Sequence, residues 1–302
     1  MPPTFSSGWT QCFPPAPEFT AKSIPDLAGK LYIVTGATSG VGKELARILY
    51  SKNAKVYIAA REEGNTIKHI KEAEPSSTGA LAFLQLDLSD LRPVKASAER
   101  FLAAESSLNV LFNNAGPFLF TKLLTPLLQA TAAGGNTWTN EVRVVFVSSF
   151  AAEMFHEKGV GIDMDNLDYH HPKSSMDRYG LSKVGVWSYG IEYSKRFAAT
   201  GVLGVPVNPG NLRSNPFSQQ GFLSKLRVAL MHYPAVNGAY TELFAGLSPE
   251  ITPDKAGYIF PFGRFRPICQ ELQLAARPES EGGADLTRKF WDWSEKQVKG
   301  FI

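Results

Sequence analysis

The chain has 302 residues, 44% of them hydrophobic and 20% charged, which is enough to bury a large core in one domain. Its formal net charge of +3 is dispersed and includes no long run of lysine or arginine, which argues against a nucleic-acid partner. No apolar run approaches the ~18 residues of a membrane span, and the proline-rich start at 1–25 lacks the basic and apolar regions of a leader. We therefore expect a cytoplasmic protein whose two cysteines, Cys12 and Cys269, stay reduced.

From residue 30 onward, short apolar runs alternate with amphipathic stretches, which predicts an α/β fold with a mostly parallel sheet and helices on both faces. The predicted strands lie near 31–35, 55–60, 81–86, 108–112, 142–148, 202–208 and 256–260. The predicted helices lie near 41–51, 90–104, 118–132, 176–199, 218–231, 235–246 and 284–298. We expect an N-terminal arm, 1–29, packed on a Rossmann-type doubly wound domain of about seven strands, 30–302. Pro206 removes an N–H inside the sixth strand and predicts a local bulge or a weakened ladder.

A glycine-rich turn joins the first predicted strand to the first helix of this domain. Glycines allow the backbone to approach a pyrophosphate closely, and the free N–H groups of the next helix attract the anion. A plain strand–helix turn can carry the same glycines, so the motif alone does not decide between the two readings. The residues that we predict to bind a nucleotide here are Gly36, Thr38, Ser39, Gly40, Val41 and Gly42.

Tyr179 and Lys183 are spaced to lie one helical turn apart on the same face of a predicted helix. An ammonium close to a phenol favours the phenolate, which brings proton transfer nearer to neutral pH. The spacing also arises by chance on exposed helices, so its meaning depends on the other motifs of the chain.

Four further motifs accompany the glycine turn and the Tyr179–Lys183 pair in a fixed order along the chain. They are Asp87-Leu88, Asn113-Asn114-Ala115-Gly116, Val147-Ser148-Ser149 and Pro209-Gly210-Asn211-Leu212-Arg213-Ser214. With these motifs the chain resembles the short-chain dehydrogenase/reductase family, and the resemblance covers nearly all of it. The sequences at 238–241 and 261–264 look most like fungal members of the retinol-dehydrogenase-like branch, which implies a role in secondary metabolism.

The resemblance implies hydride transfer between a nicotinamide cofactor and a carbonyl or alcohol. Tyr179 exchanges the proton, Lys183 binds the ribose hydroxyls, and Ser149, with Ser148 as the alternative, holds the reacting oxygen. The remaining cofactor residues implied are Asp87 and Leu88 at the adenine, Asn114, Ala115 and Gly116 along the adenosine, and Pro209, Gly210, Leu212 and Ser214 at the nicotinamide.

The end of the second predicted strand bears on the choice of cofactor. In NAD-binding folds this strand ends in a carboxylate that accepts hydrogen bonds from the ribose hydroxyls. Here the strand does not end in a carboxylate, and Arg61 follows it. A guanidinium suits the 2′-phosphate of NADP, so we predict NADP(H), with a surface arginine as the alternative.

The chain departs from the family directly after Gly116. Relatives carry on the order of twenty further residues there, more than an ordinary loop change, and that stretch includes the family's catalytic asparagine. Three explanations stay open: an active enzyme with a shortened proton relay, a silent NADP-binding scaffold, or a coding sequence that lost part of an exon.

The substrate side is predicted from 216–231 and 236–247, which are rich in apolar residues and suggest a lipophilic or aromatic substrate, although most of them also suit helix cores. The loop 163–171 has metal-capable side chains without ligand spacing, so we predict no metal. Family members form homo-oligomers through the helix that corresponds to 176–199. The resemblance therefore implies a homo-oligomer, with a monomer as the alternative.

Overall fold

The computed structural model describes residues 5–116, 118–135, 140–212 and 233–302. In these ranges the strands form one sheet in the order β3-β2-β1-β4-β5-β6-β7-β8, parallel except for β8, which pairs antiparallel with β7. The strands are β1 (Leu31–Thr35), β2 (Lys55–Ala60), β3 (Ala80–Gln85), β4 (Val110–Asn113), β5 (Val142–Val147), β6 (Val202–Val207), β7 (Ile259–Phe260) and β8 (Arg264–Phe265).

Ten α-helices lie in the described residues, together with short 3-10 turns. They are α1 (Phe5–Cys12), α2 (Gly40–Ser51), α3 (Thr66–Ala73), α4 (Arg92–Ala104), α5 (Phe118–Ala133), α6 (Ala151–Met154), α7 (Ser175–Phe197), α8 (Ala235–Leu247), α9 (Gln270–Ala275) and α10 (Leu286–Val298). The 3-10 turns are Ala21–Ser23, Met164–Asn166, Ala198–Thr200, Glu279–Glu281 and Lys299–Phe301. None of the described helices combines the length and the apolar character that crossing a membrane requires.

The sheet confirms the predicted α/β class, with one strand more than expected because the chain turns back after β7. The predicted strand ends agree within two residues, except that β7 starts at Ile259, three residues after the predicted 256. Sequence reasoning missed β8 and four helices, α1, α3, α6 and α9, which have eight residues or fewer. The helix predicted at 218–231 lies outside the described residues.

Two apolar cores lie on opposite faces of the sheet, because successive strand residues point to opposite sides. Tyr32 and Val34 face the core beneath α2 and α8. Leu31 and Ile33 face the core beneath α4, α5 and α7. A sheet covered on both faces accounts for strands that are buried along their whole length, such as β1, β5 and β6.

Pro206 does not interrupt β6, so the predicted bulge was wrong. Its register with β5 runs without a break through Phe146↔Pro206 to Val147↔Val207. The proline ring packs against α7 at Gly190, where a Cβ would lie 2.8 Å from Pro206 Cδ. On the other side, β6 pairs with β7 only at Val207↔Ile259, so the proline lies just before that short contact begins.

A buried arginine ties the sheet to the end of α8. Arg143, on β5, is 1% exposed and donates to the carbonyl oxygens of Asn140 (2.6 Å), Ala245 (3.0 Å) and Ser248 (2.9 Å). Burial lowers the pKa of Arg143 to about 10, which still leaves it charged at neutral pH. These bonds fix the C-terminal end of α8, the helix whose other residues border the candidate site.

We predict that Arg143→Ala destabilises the fold, because it leaves buried carbonyl groups without donors. The expected loss is ~3 kcal/mol, seen as a fall in melting temperature of roughly 6–12 °C. Arg288→Ala is the control, since its side chain is half exposed and pairs with two carboxylates, Asp285 and Asp292, rather than with buried carbonyl groups, so a much smaller fall in melting temperature is expected. Equal melting temperatures for the two variants would contradict the structural role of Arg143.

Candidate active site

A cleft of about 1170 Å³ opens beyond the carboxyl ends of β1, β2 and β3. Parallel strands end at the same edge of the sheet, so residues far apart in sequence meet there. Of the predicted site residues, those that line the cleft are Gly36, Thr38, Ser39, Arg61, Asp87, Leu88 and Ala115. Lys43 and His69 also line it, and sequence reasoning did not single them out.

The glycine turn has the backbone geometry that a nucleotide-binding loop needs. Gly36 and Gly40 have positive φ angles of 65° and 57°, which side-chain-bearing residues rarely adopt. A Cβ on Gly42 would lie 2.7 Å from the carbonyl oxygen of Gly36, so only glycine fits in the first turn of α2. The Ser39 side chain makes no capping hydrogen bond, which leaves the amide groups of that turn available to an anion.

Asp87 and Leu88 line the cleft after β3, and Gly116 packs against Leu88. A Cβ on Gly116, whose φ is +42°, would lie 2.8 Å from Leu88 Cβ, so these two residues pack in direct contact. Asp87 Oδ1 accepts hydrogen bonds from the hydroxyl (2.7 Å) and the amide (3.0 Å) of Ser89. These bonds, with a smaller contribution from Arg61, hold the pKa of the exposed Asp87 carboxyl below its usual range.

The predicted reactive residues lie on β5 and α7. Lys183 Nζ donates to the carbonyl oxygen of Val147 at 3.0 Å, which anchors α7 to the end of β5, and it lies 5.8 Å from the ring centroid of Tyr179. Tyr179 is 47% exposed. Ser148 is buried and donates to the carbonyl oxygen of Lys183 at 2.7 Å, whereas the half-buried Ser149 accepts from the Ala151 amide at 3.2 Å.

A buried carboxyl group on α8 interacts with this cluster. Glu242 is 0% exposed, and its Oε2 accepts from Asn114 Nδ2 at 3.1 Å. Burial raises the pKa of Glu242 to about 8, with Asn114 and then Lys183 acting in the opposite direction. Burial also lowers the pKa of Lys183, and Glu242 partly offsets that shift. The lysine and the carboxyl group are therefore electrostatically coupled.

The residues after β6 border the same region. Gly210, with φ of +97°, donates its amide to Asn208 Oδ1 at 3.0 Å. A Cβ on Gly238 of α8 would lie 2.3 Å from Leu212 Cδ1 and 3.1 Å from Val41 Cγ2, so the glycine turn, α8 and Leu212 are in contact. Pro209 precedes this turn, and Ser214 lies outside the described residues.

The two asparagines after β4 serve separate partners. Asn113 is buried and donates to the hydroxyl of Thr121 at 2.8 Å, which joins the strand end to α5. Asn114 turns toward Glu242 instead. Helix α5 begins at Phe118, so only four residues connect it to β4.

Polar groups of the loop 163–171 form hydrogen bonds within the loop. Asp168 Oδ1 pairs with His170 Nδ1 at 2.6 Å, and the side chain of Asn166 bonds to both the amide and the carbonyl of His171. Within the described ranges, no three His, Cys, Asp or Glu side chains cluster in a way that could hold a metal ion.

Sequence reasoning missed Glu242, although a signal for it was present. It stands between Thr241 and Leu243 in a helix that is otherwise almost entirely buried and apolar, where an unpaired carboxylate is costly. A carboxyl group at such a position usually has a specific partner, and the partner could not be named from spacing alone because Asn114 is 128 residues away.

Comparison with known proteins agrees with this arrangement. Residues 30–221 match the short chain dehydrogenase family. A short-chain dehydrogenase/reductase of Neocamarosporium betae is 46% identical over 328 aligned positions, covering 98% of this chain and 94% of the relative. That alignment is longer than the chain, so it includes positions at which this chain has no residue. The chain belongs to the short-chain dehydrogenase family.

Solved structures with the same fold are more distant in sequence. The NADPH-bound carbonyl reductase from chicken fatty liver superposes with a TM-score of 0.58 at 17% identity, covering 80% of this chain and all of that one. An NADH-dependent reductase of alginate metabolism superposes with a TM-score of 0.58 at 18% identity, covering 78% and 96%. At this identity the likeness establishes the fold.

We predict that Glu242→Gln changes how stability depends on pH. The raised pKa means that folded Glu242 keeps its proton between pH 4.5 and about 8 while the unfolded chain releases it, so the wild type loses stability as pH rises through this window. The glutamine variant lacks this loss and should gain ~1.4 kcal/mol on the wild type between pH 6 and 7. Melting curves of both proteins over pH 5–9 test this, and curves that stay parallel would contradict a buried neutral carboxyl group.

Proposed function

We propose that this protein is an NADP(H)-dependent oxidoreductase that transfers a hydride between the cofactor and a lipophilic or aromatic carbonyl or alcohol. The observation that carries the proposal is the Tyr179–Lys183 pair on α7, which the hydrogen bond from Lys183 to the carbonyl oxygen of Val147 holds against the end of β5, two residues before Ser149. Family membership supports the same type of chemistry.

The cofactor proposal rests on the cleft. The glycine turn has positive φ angles at Gly36 and Gly40 and leads into a helix without a side-chain cap, which fits a pyrophosphate. The proteins with related folds include an NADPH-bound carbonyl reductase and an NADH-dependent reductase. Preference for NADP(H) follows from Arg61, which lines the cleft directly after Ala60, where NAD-dependent folds place a carboxylate. Lys43, in the first turn of α2, is a second cation in the lining. Glu62 and Glu63 line it as well and oppose an added phosphate, so Arg61 has to outweigh them.

Other contacts of the cofactor are assigned by position. We place the pyrophosphate on the first turn of α2, the adenine and its ribose along β3 and β4, and the nicotinamide near the end of β6. The residues in these roles are Gly36, Thr38, Ser39, Gly40, Val41, Gly42, Asp87, Leu88, Asn114, Ala115, Gly116, Pro209, Gly210, Leu212 and Ser214.

The bound cofactor supplies or accepts the hydride, and the protein handles the proton. The half-exposed Tyr179 gives its phenolic proton to the oxygen of a carbonyl substrate, and Lys183 stabilises the phenolate with its positive charge and binds the ribose hydroxyls. Ser149 donates a hydrogen bond to the same oxygen. Its hydroxyl accepts from the Ala151 amide and so keeps its own proton to donate, whereas the hydroxyl of Ser148 is already engaged with the Lys183 carbonyl.

A catalytically weak or silent NADP(H)-binding scaffold is the second candidate. It is favoured by the short connection between β4 and α5, which leaves no separate position for the family's relay asparagine. The relative's alignment, with positions that this chain lacks, is consistent with a lost segment.

The lipophilic substrate class rests on the apolar stretches at 216–231 and 236–247, of which the second lies in α8 and packs against Leu212. Membership of the retinol-dehydrogenase-like branch, a role in secondary metabolism, a cytoplasmic location and a homo-oligomer through α7 remain part of the proposal. The fungal relative supports the fungal assignment.

We predict that the protein binds NADPH more tightly than NADH and that Arg61→Ala removes this preference. Losing a charge-assisted contact with the 2′-phosphate should weaken NADPH binding roughly 10- to 100-fold and leave NADH binding within about twofold. Quenching of tryptophan fluorescence by each cofactor measures this. Arg92→Ala, which removes an arginine from the neighbouring surface outside the cleft lining, is the matched control. An NADPH preference that survives Arg61→Ala would refute the assignment.

We predict that Tyr179→Phe lowers turnover on a panel of lipophilic aldehydes and ketones by at least ~100-fold, because it removes the proton donor. NADPH affinity should stay within about twofold, which separates lost chemistry from lost binding. Tyr169→Phe is the control, because it removes a tyrosine hydroxyl while keeping the ring that Arg178 contacts. If the wild type binds NADPH and turns over no member of the panel, the scaffold is the better description.

A further inference from the structure

Helix α1 lies outside the part of the chain that matches the family model, yet it packs beside a residue proposed to act in catalysis. The family match covers 30–221, whereas α1 ends at Cys12. A Cβ on Gly8 would lie 3.5 Å from Cζ of Phe150, the residue that follows Ser149 in the chain. The N-terminal arm therefore reaches the immediate neighbour of the proposed catalytic serine.

Gln11 makes the most specific contact of this helix. Its side chain is 1% exposed, and its Oε1 accepts a hydrogen bond from Nδ2 of Asn208 at 2.8 Å. The other end of the Asn208 amide, Oδ1, accepts the backbone N–H of Gly210 at 3.0 Å. Because that N–H can only donate, Asn208 has to present its oxygen to Gly210 and its NH₂ group to Gln11. One side-chain amide thus links α1 to the turn after β6.

A second connection runs from α1 to the same turn. Arg264 donates from Nη2 to the carbonyl oxygen of Thr10 (2.5 Å) and from Nε to the carbonyl oxygen of Pro261 (2.9 Å). A Cβ on Gly210 would lie 3.2 Å from Pro261 Cβ, so this proline packs against the turn. Gly210 is therefore braced by α1 in two ways, through the amide of Asn208 and through the guanidinium of Arg264.

The turn depends on such support because of its own composition. Gly210 adopts a φ of +97°, and a glycine has no side chain that would restrict it to one conformation. The same turn, with Pro209, is where we place the nicotinamide ring. Hydride transfer depends on the distance and alignment of two carbon atoms, so a ring displaced by ~1 Å loses a large part of the rate. Contacts that fix the turn are thus contacts that fix the reacting ring.

We propose that Gln11 is a positioning residue that, through Asn208, holds the Pro209–Gly210 turn in the shape that receives the nicotinamide ring of the cofactor. This inference rests on the proposed function and deepens it, because it extends the active site to the N-terminal arm. Gln11 breaks and forms no bond in the reaction and acts only on the geometry of the turn. The adenosine and pyrophosphate parts of the cofactor, which we place at β1–β4 and α2, do not depend on it.

The test compares the wild type with Gln11→Met, which keeps the length of the side chain but cannot accept the hydrogen bond of Asn208. Two ligands are titrated by calorimetry: NADPH, and 2′-phospho-ADP-ribose, which is the cofactor without its nicotinamide ring. We expect Gln11→Met to weaken NADPH binding about fivefold and to leave binding of the fragment within about twofold of the wild type. With a carbonyl substrate of the panel, kcat should fall about tenfold.

Two further variants serve as controls. Gln11→Glu retains an oxygen that accepts from Asn208, so it should bring NADPH binding and kcat back to within about twofold of the wild type. Gln129→Met makes the same substitution at the opposite edge of the sheet, where β6 begins. There Gln129 Nε2 donates to Thr200 Oγ1 at 3.2 Å, and its loss should leave the binding of both ligands unchanged.

Three results would overturn the role of Gln11. The first is a Gln11→Met variant with wild-type kcat and wild-type binding of both ligands. The second is equal weakening of NADPH and the fragment, which indicates general damage to the cleft, and the third is a Gln11→Glu variant no better than Gln11→Met. If Gln11→Met does not fold, Gln11→Asn takes its place with the same expectations, because its amide is one methylene group too short to reach Asn208.

The binding comparison needs no turnover, so the two proposals fail separately. A wild type that binds NADPH but turns over no carbonyl overturns the oxidoreductase, and the comparison of NADPH with its fragment still decides the role of Gln11. A wild type that binds neither ligand overturns the cofactor proposal and this inference with it.

Discussion

Parallel pairing of β1 with β2 on one side and β4 on the other is the constraint on which the rest of the structure depends. Because each of these strands ends at the same edge, residues near 36, 61, 87 and 115 come to line one cleft although they are spread over about eighty positions. The order of the strands reverses between β1 and β4, which opens a crevice between the helices that leave in opposite directions. The glycine turn is placed at that crevice, so the fold itself decides where an anionic cofactor fits.

Burial of charge is the second organising feature, and the buried charged groups differ in how completely they are hydrogen-bonded. Arg143 has three carbonyl acceptors and serves to connect β5 with the end of α8. Lys183 has the carbonyl of Val147 and the field of Glu242, and both it and Glu242 have pKa values shifted toward neutrality. A buried cation whose nitrogens have acceptors fixes structure, whereas a buried carboxyl group with one unsatisfied oxygen is costly to ionise and holds its proton to a higher pH. This contrast distinguishes an anchor from a group that is suited to chemistry.

The strands and long helices could be predicted because each carries a local signal: short apolar runs for β1, β5 and β6, with Arg143 as the one charged residue in β5, and a 3.6-residue period in α2 and α7. The short elements could not, because eight residues such as Thr66–Ala73 give too few turns for a period to stand out. Pro206 misled the prediction, since its missing N–H weakens a strand only where a partner requires it, and the register with β5 shows no interruption. The partners of a side chain were the hardest to predict, as Glu242 shows, because they depend on how α8 is docked.

The connection between β4 and α5 shows how a strand end, a helix start and the docking of α8 depend on one another. Four residues connect the strand to the helix, and the two asparagines at the strand end are used for packing: one holds α5 through Thr121, and the other meets Glu242. Glu242 comes from α8, so its contact with the strand end depends on how that helix is docked, which Arg143 fixes at one end. A carboxyl group that burial keeps neutral can accept the amide of Asn114 at this place without the cost of an isolated buried charge.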